Sequence, residues 1–326
     1  MTIVPLARDR LTLERPPPPS SAPKETSHKA AWFDWHSINC KRWRFFLTYT
    51  TGVDCVYGLF PQELSMEASA MDIVNLVFRW LHVIAGVMWI GHLWFFNFVN
   101  SQLAKTYDAD SKQKVLPELM PRALYWFRWG AAYTLITGIA LLGVIYYMGG
   151  VLWTDATNNP GAHTGMAVGL GALIVGWVIY DNLWKATAES QTMGTIISIV
   201  LITAASFGLA QYGFSGRAVF IHAGAIFGMC MAANVWMRIW PAQRKIIAAV
   251  KAGDKPDGAW GAIAGLRSKH NTYMSVPLLL LMVSNHYPTV YGDDMGWAIV
   301  AIIVVLGFGM TKMMYNKAAT PAPAQY

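Results

Sequence analysis

The sequence predicts an all-α, polytopic membrane protein, a bundle of about seven transmembrane helices. Of its 326 residues, 55% are hydrophobic and only 13% are charged, whereas soluble proteins carry about 25% charged residues. Several apolar stretches also approach the ~20 residues that a bilayer demands. Backbone groups in lipid must be satisfied internally, and the alternating strands of a barrel are not seen, so the spans are helices. The predicted spans are 73–99, 126–148, 164–184, 193–212, 217–240, 271–288 and 295–315.

The basic residues predict the orientation of the bundle. They concentrate after helix 1, after helix 5 and at the end of helix 7, whereas the loops 149–163 and 289–294 contain Asp but neither Lys nor Arg. Lys and Arg favour the cytoplasmic side of a membrane. We therefore expect the N-terminus outside and the C-terminus inside.

Residues 1–70 fit this topology poorly. They include the run "ERPPPPSSAPKETS", which is typical of disorder, and several basic residues that the predicted orientation would leave outside. We expect residues 1–70 to be a disordered extension or an incorrectly assigned start, and a basic arm on the membrane surface is the alternative. The membrane domain is then 71–316, followed by a flexible cytoplasmic tail at 317–326.

The net charge of +7 does not indicate a nucleic-acid partner, because the Lys and Arg residues lie in loops between spans. Cys40, Cys55 and Cys230 form neither a CxxC pair nor a CxxCH haem-attachment motif. The sequence also lacks the P-loop, GxGxxG, HExxH and GxSxG motifs. Any chemistry must therefore come from polar residues within the spans.

The histidines of the spans are the first such residues, because ionisable side chains inside a membrane are costly. At 1.5 Å per residue, His82, His222 and His286 fall in the outer half of the bundle, and His92 and His270 in the inner half. Imidazole can ligate haem iron and relay protons. His82 and His222 are the predicted haem ligands and His92 is a weaker one, although a histidine can also simply bond a neighbouring helix.

The stretch "HNTYMSVPLLLLMVSNHYP" carries polar residues at both edges of a span. His270 and Asn271 lie at one end, and Asn285 and His286 at the other. A helix that only anchors a protein does not need this arrangement. We therefore predict a catalytic contribution from these four residues.

Three further polar residues are ambiguous from the sequence. Arg217, at the mouth of helix 5, is a candidate anion-binding residue or an interfacial anchor. Asn234 is a candidate substrate contact, or else a hydrogen bond between helices. Asp181 is the one carboxylate deep in helix 3, and it is either a functional candidate or a residue that only snorkels to the interface.

Glycines at four-residue spacing predict close helix packing. Gly165 and Gly169 have this spacing on helix 3, and Gly224 and Gly228 have it on helix 5. Small residues let helix backbones approach closely.

Three segments resemble the membrane domain of the bacterial membrane urate hydroxylase family, also called the urate oxidase N-terminal domain. They are "FRWLHVIAGVMWIG" (78–91), "SGRAVFIHAGAIFGMCMAANVW" (215–236) and "RSKHNTYMSVPLLLLMVSNHYP" (267–288), and the resemblance extends over about 72–316. It implies an integral membrane enzyme that oxidises urate to 5-hydroxyisourate and passes electrons towards a cytochrome c. Members continue into a C-terminal cytochrome c domain, whereas this sequence ends "NKAATPAPAQY" without a CxxCH, so we expect the cytochrome to be supplied separately.

The resemblance also bears on the candidate residues. The residues within the matching segments are His82, Arg217, His222, Asn234, His270, Asn271, Asn285 and His286. His92 stands where the family leads us to expect a small polar residue.

Two functional hypotheses follow. The first is a urate-oxidising enzyme of the bacterial inner membrane, in contact with lipid, using haem b and a separate cytochrome c or another respiratory chain component. The second is a non-catalytic haem- or quinone-associated membrane subunit or carrier on the same scaffold.

Overall fold

The computed structural model describes residues 63–292 and 295–320, with side chains described from residue 70 onward. Within this part of the chain, seven long helices appear in the predicted order. They are α1 (Glu63–Trp94), α2 (Ala109–Leu141), α3 (Ala162–Ala186), α4 (Gln191–Gln211), α5 (Gly216–Asn234), α6 (Gly258–Val283) and α7 (Gly296–Ala319). The expectations for residues 1–62 and 321–326 lie outside the described residues.

Six of these helices are long and apolar enough to cross a membrane, which makes the chain a multi-pass membrane protein. The exception is α6, the predicted sixth span. It carries Arg267 and the polar residues Asn271, Thr272 and Ser275, all of which are buried inside the protein. Because α6 turns this polar face towards neighbouring helices, it does not need the overall apolarity of a lipid-facing span.

Three helices begin ten or more residues before their predicted spans. α1 starts at Glu63 rather than 73, α2 at Ala109 rather than 126, and α6 at Gly258 rather than 271. Asp108 caps α2 by accepting from the Ser111 amide at 2.7 Å, and Asp257 caps α6 by accepting from the Ala259 amide at 2.8 Å. Hydropathy detects only the apolar part of a helix. The polar turns that extend a helix beyond this part are therefore predicted as loops.

The central helix is α5. Its spanning window is 78% buried inside the protein, whereas the other five candidate spans are 17–33% buried. The predicted close packing is confirmed at Gly224, where an added Cβ would lie 3.0 Å from Met282 Cε and 3.2 Å from Leu281 Cβ. Residues on α5 therefore contact the interior of the bundle and not lipid.

Three helices contain a π-helical segment near one end. α1 continues through Phe95–Asn100, α2 through Leu142–Tyr147, and α5 through Val235–Ile239 into a last helical stretch, Trp240–Ala252. The second segment carries Tyr146 and Tyr147, which are consecutive and yet both buried. π-Helical turns often occur at functional sites.

Candidate functional site

The predicted site residues divide into two clusters at opposite ends of the bundle. Arg217 and Asn234 are 17 residues apart on α5, which corresponds to roughly 25 Å. They therefore cannot both contact one small substrate, and each remains a separate prediction of a substrate contact. The four predicted catalytic residues divide in the same way, because α6 carries His270 and Asn271 at one end of the bundle and leads to Asn285 and His286 at the other.

The first cluster lines a cavity of ≈ 770 Å³ between α1, α2, α5 and the end of α6, called here the Arg79–Arg217 cavity. Most of its wall is apolar. The amide and ionisable side chains in its lining are Arg79, His82, Tyr146, Arg217, Asn285 and His286. No carboxylate belongs to that lining among the described residues.

Arg217 is held at the mouth of this cavity by several hydrogen bonds. Ser215 caps α5 through the Ala218 amide and also donates to the Val151 carbonyl at 2.8 Å, which fixes Arg217 in the first turn. Asn285 Oδ1 accepts from Arg217 Nε at 3.0 Å and from the Tyr146 hydroxyl at 2.5 Å. The Arg217 guanidinium also lies beside Tyr146, with its Cζ 5.7 Å from the centroid of the ring.

Arg79 is a second guanidinium in the same lining. Its Nε donates to Asn75 Oδ1 at 2.7 Å, and no described carboxylate pairs with it. An arginine inside an apolar helix is a candidate functional residue from the sequence alone, although the sequence assigns Arg79 no specific role. A cavity with two arginines and no carboxylate suits an anion.

His82 lies on the wall of this cavity with a defined tautomer. The Thr137 hydroxyl donates to the Tyr133 carbonyl at 2.6 Å, and His82 Nδ1 lies 3.0 Å from the Thr137 oxygen. Because the hydroxyl hydrogen is already used, His82 Nδ1 is assigned as the donor. His82 Nε2 is then a free lone pair, which can accept a proton or bind a metal.

His222 lies behind the cavity wall and is fully buried. Its Nδ1 is 2.7 Å from the Ala218 carbonyl and its Nε2 is 2.9 Å from the Tyr147 hydroxyl. Gly169 packs against it so closely that an added Cβ would contact the Tyr147 hydroxyl and lie 2.6 Å from His222 Nε2. Both ring nitrogens are engaged, so an iron at His222 would have to displace Tyr147.

The second cluster surrounds a cavity of ≈ 590 Å³ between α3, α4, α5, α6 and α7, called here the Tyr180–His270 groove. Tyr180 was not predicted as a site residue, and it joins three that were. Its hydroxyl lies 2.9 Å from His270 Nδ1 and accepts from Asn234 Nδ2 at 2.8 Å. Asn234 also donates to Asn271 Oδ1 at 2.8 Å, so it does link neighbouring helices.

Asp181 forms ion pairs with several basic residues at this end of the bundle. Its carboxylate accepts two hydrogen bonds from Arg238 and lies 3.0 Å from an Arg267 Nη and 2.7 Å from Lys185 Nζ. Only 4% of the Arg267 side chain is exposed. Asp181 is therefore the centre of an ion-pair network and not an isolated snorkelling residue.

His92, the weak ligand candidate, contacts neither cluster. Its Nδ1 lies 2.7 Å from the Met88 carbonyl one turn earlier on α1, and it lines neither cavity. No group of three or more His, Cys, Asp or Glu side chains suited to a metal ion occurs in the described part of the chain.

Comparison with known proteins identifies the family of the chain. A family model described as urate oxidase N-terminal matches residues 68–114 and 106–324. Neither the curated proteins nor the solved structures gave a match. The family match includes both cavities and every described helix apart from the first five residues of α1. The chain thus belongs to the urate oxidase N-terminal family, and this membership relates its multi-pass helix bundle to urate.

Proposed function

We propose that the chain oxidises urate to 5-hydroxyisourate within the bacterial inner membrane and passes the electrons to a separate cytochrome c. Family membership supports urate as the substrate. The observation that carries the proposal is the pair of arginines, Arg79 and Arg217, in a cavity whose described lining contains no carboxylate. The uneven distribution of basic loop residues supports an orientation with the N-terminus outside.

Urate is a planar anion at neutral pH, and the Arg79–Arg217 cavity suits it in charge. The Nη atoms of Arg217 can donate two parallel hydrogen bonds to such an anion. The N-terminus of α5, where Arg217 lies, adds a favourable dipole. Asn285 holds the Arg217 guanidinium in place, and Tyr146 holds Asn285.

The reaction balances with water as the oxygen source. Urate gains a hydroxyl group at C5 from water and releases two electrons and two protons, and two one-electron reductions of cytochrome c consume the electrons. His82 Nε2 is a proton acceptor in the cavity lining. His286, exposed at the end of α6, offers a path for protons to solvent.

Haem b remains part of the proposal, with His82 as the residue that would hold it. The lone pair on His82 Nε2 fits an iron ligand, and an added Cβ at the nearby lining glycine Gly86 would meet nothing within 4 Å. His222 does not fit, because both of its nitrogens are engaged. When bound, haem would supply a one-electron acceptor.

The test uses the purified full-length chain in detergent, with urate and an added soluble cytochrome c. Arg217→Gln should lower kcat/KM about 10- to 100-fold, because a hydrogen bond to a charged group contributes about 1.5–3 kcal/mol. Arg217→Lys should recover part of the loss, since it keeps the charge but not the paired donors. Arg122→Gln is the matched control, because Arg122 is exposed and its ion-pair partner among the described residues is Glu118.

Two results would contradict the proposal. Urate binding without cytochrome reduction would favour a non-catalytic carrier. Equal kcat/KM values for Arg217→Gln and the unaltered chain would remove the Arg79–Arg217 cavity as the urate site.

A further inference from the structure

We propose that the Tyr180–His270 groove binds the head group of a lipid-soluble quinone. This site is at the opposite end of the bundle from the Arg79–Arg217 cavity, and its ligand differs from urate. Binding of the quinone needs no urate, so it can be measured whether or not urate is oxidised.

The groove opens on the lipid-facing side of the bundle. Its lining includes Val175 and Ile179 on α3 and Ile196 on α4, which are 54%, 44% and 57% exposed. Exposed aliphatic residues in the middle of membrane-spanning helices face lipid tails. An amphiphile carried in the bilayer can therefore enter the groove sideways without crossing water.

The inner wall of the groove presents a hydrogen-bond donor. Asn234 Nδ2 donates to the Tyr180 hydroxyl oxygen, which leaves the hydroxyl hydrogen for His270 Nδ1. The proton of the neutral imidazole is then on His270 Nε2. That Nε2–H has no partner among the residues described, and His270 lines the groove.

Trp184 supplies a second donor in the same wall. Its side chain is only 8% exposed, and its Nε1 is buried without a hydrogen-bond partner in the described part of the chain. Its ring centroid lies 3.9 Å from that of His270. A buried unpaired donor is costly, and a ligand that accepts a hydrogen bond there would remove the cost.

The donors, the aromatic rings and the aliphatic opening of the groove together indicate which class of ligand fits it. The N–H donors on His270 and Trp184 match acceptors such as the carbonyl oxygens of an oxidised quinone, and the same lining also contains the cations Lys269 and Lys312. The aromatic side chains of Trp184 and Tyr180 suit a flat ring. The aliphatic opening suits an isoprenoid tail, which stays in lipid. A saturated lipid chain would satisfy the opening but leave both donors unpaired.

The experiment measures binding of a decyl-tailed ubiquinone analogue to the full-length chain in detergent, by quenching of tryptophan fluorescence. Trp184→Phe and His270→Phe should each weaken binding about fivefold, the effect of losing one hydrogen bond. His270→Gln should keep more affinity, because its amide can still donate. Trp184→Phe should also remove part of the quenching itself.

Matched controls separate this site from partition of the quinone into detergent. Trp80→Phe removes an exposed tryptophan that lines neither cavity, and His163→Gln removes an exposed histidine near the start of α3. Both should bind as the unaltered chain does. Equal affinity in all variants, or quenching that does not saturate, would overturn the proposal. Tightly held phospholipid that the quinone analogue cannot displace would also overturn it.

Discussion

The two ends of the bundle use histidine in opposite ways. In the Arg79–Arg217 cavity, Thr137 takes the His82 Nδ1 hydrogen, so that Nε2 is a free lone pair. In the Tyr180–His270 groove, the Tyr180 hydroxyl supplies a hydrogen to His270 Nδ1, so that Nε2 is a donor. The partner of one ring nitrogen thus sets the chemistry of the other.

The arginines at the two ends of the bundle differ in whether a carboxylate pairs with them. Arg79 and Arg217 have no described carboxylate partner, and their terminal nitrogens remain able to bind an anion. Arg238 and Arg267 are both paired with Asp181, so they stabilise the fold instead. One aspartate therefore distinguishes a structural cluster from a candidate substrate site.

Asp181→Asn should have the largest effect on stability. It leaves Arg267 buried without an ionised partner, and breaking a buried ion pair costs about 3–5 kcal/mol. We expect the low end of that range, because Arg238 and Lys185 are partly exposed and can regain water. The thermal unfolding midpoint in detergent should fall clearly, whereas urate affinity below that midpoint should not change.

Glu118→Gln is the control for Asp181→Asn. Glu118 and Arg122 form an exposed pair, and such pairs contribute little to stability. An equal drop in the two unfolding midpoints would mean that burial does not distinguish the Asp181 network.

Gly169→Ala should have the next largest effect. The new methyl group would contact the Tyr147 hydroxyl and His222 Nε2, and overpacking of this kind costs roughly 1–3 kcal/mol. Gly171→Ala, on the same helix with nothing within 4 Å of the added Cβ, should leave the midpoint unchanged or raise it slightly. A higher midpoint for Gly169→Ala would show that His222 is not tightly packed.

The adjacent tyrosines Tyr146 and Tyr147 should give the smallest and most specific contrast. Tyr147→Phe leaves His222 Nε2 buried without a partner and should destabilise the chain by about 1–3 kcal/mol. Tyr146→Phe releases Asn285 beside Arg217 and should mainly weaken urate binding, about fivefold. The unfolding midpoint and the urate affinity are measured for both variants. A loss of urate affinity in Tyr147→Phe with a loss of stability in Tyr146→Phe would contradict these two roles.

The order of the helices and the family could be predicted from the sequence, and so could the separation of Asn285 and His286 from His270 and Asn271 at the two ends of one helical stretch. That Arg217 and Asn234 lie in different clusters could not be predicted, because both are polar residues on one apolar helix and their hydrogen-bond partners lie on other helices. Tyr146 and Tyr180 were missed for a related reason. A tyrosine near the end of a span usually indicates only an interfacial anchor.

The amino-acid pattern alone predicts that the chain crosses the membrane several times and belongs to the urate oxidase N-terminal family, because apolar length and local motifs can be read along the chain. The free nitrogen of His82 and the lack of a described carboxylate partner at Arg79 and Arg217 can be seen only in the folded structure. These properties depend on hydrogen bonds between distant helices, such as Tyr147 with His222 and Tyr180 with His270. The two residues of each pair are 75 and 90 residues apart in the chain, respectively, and only helix packing brings them within hydrogen-bonding distance.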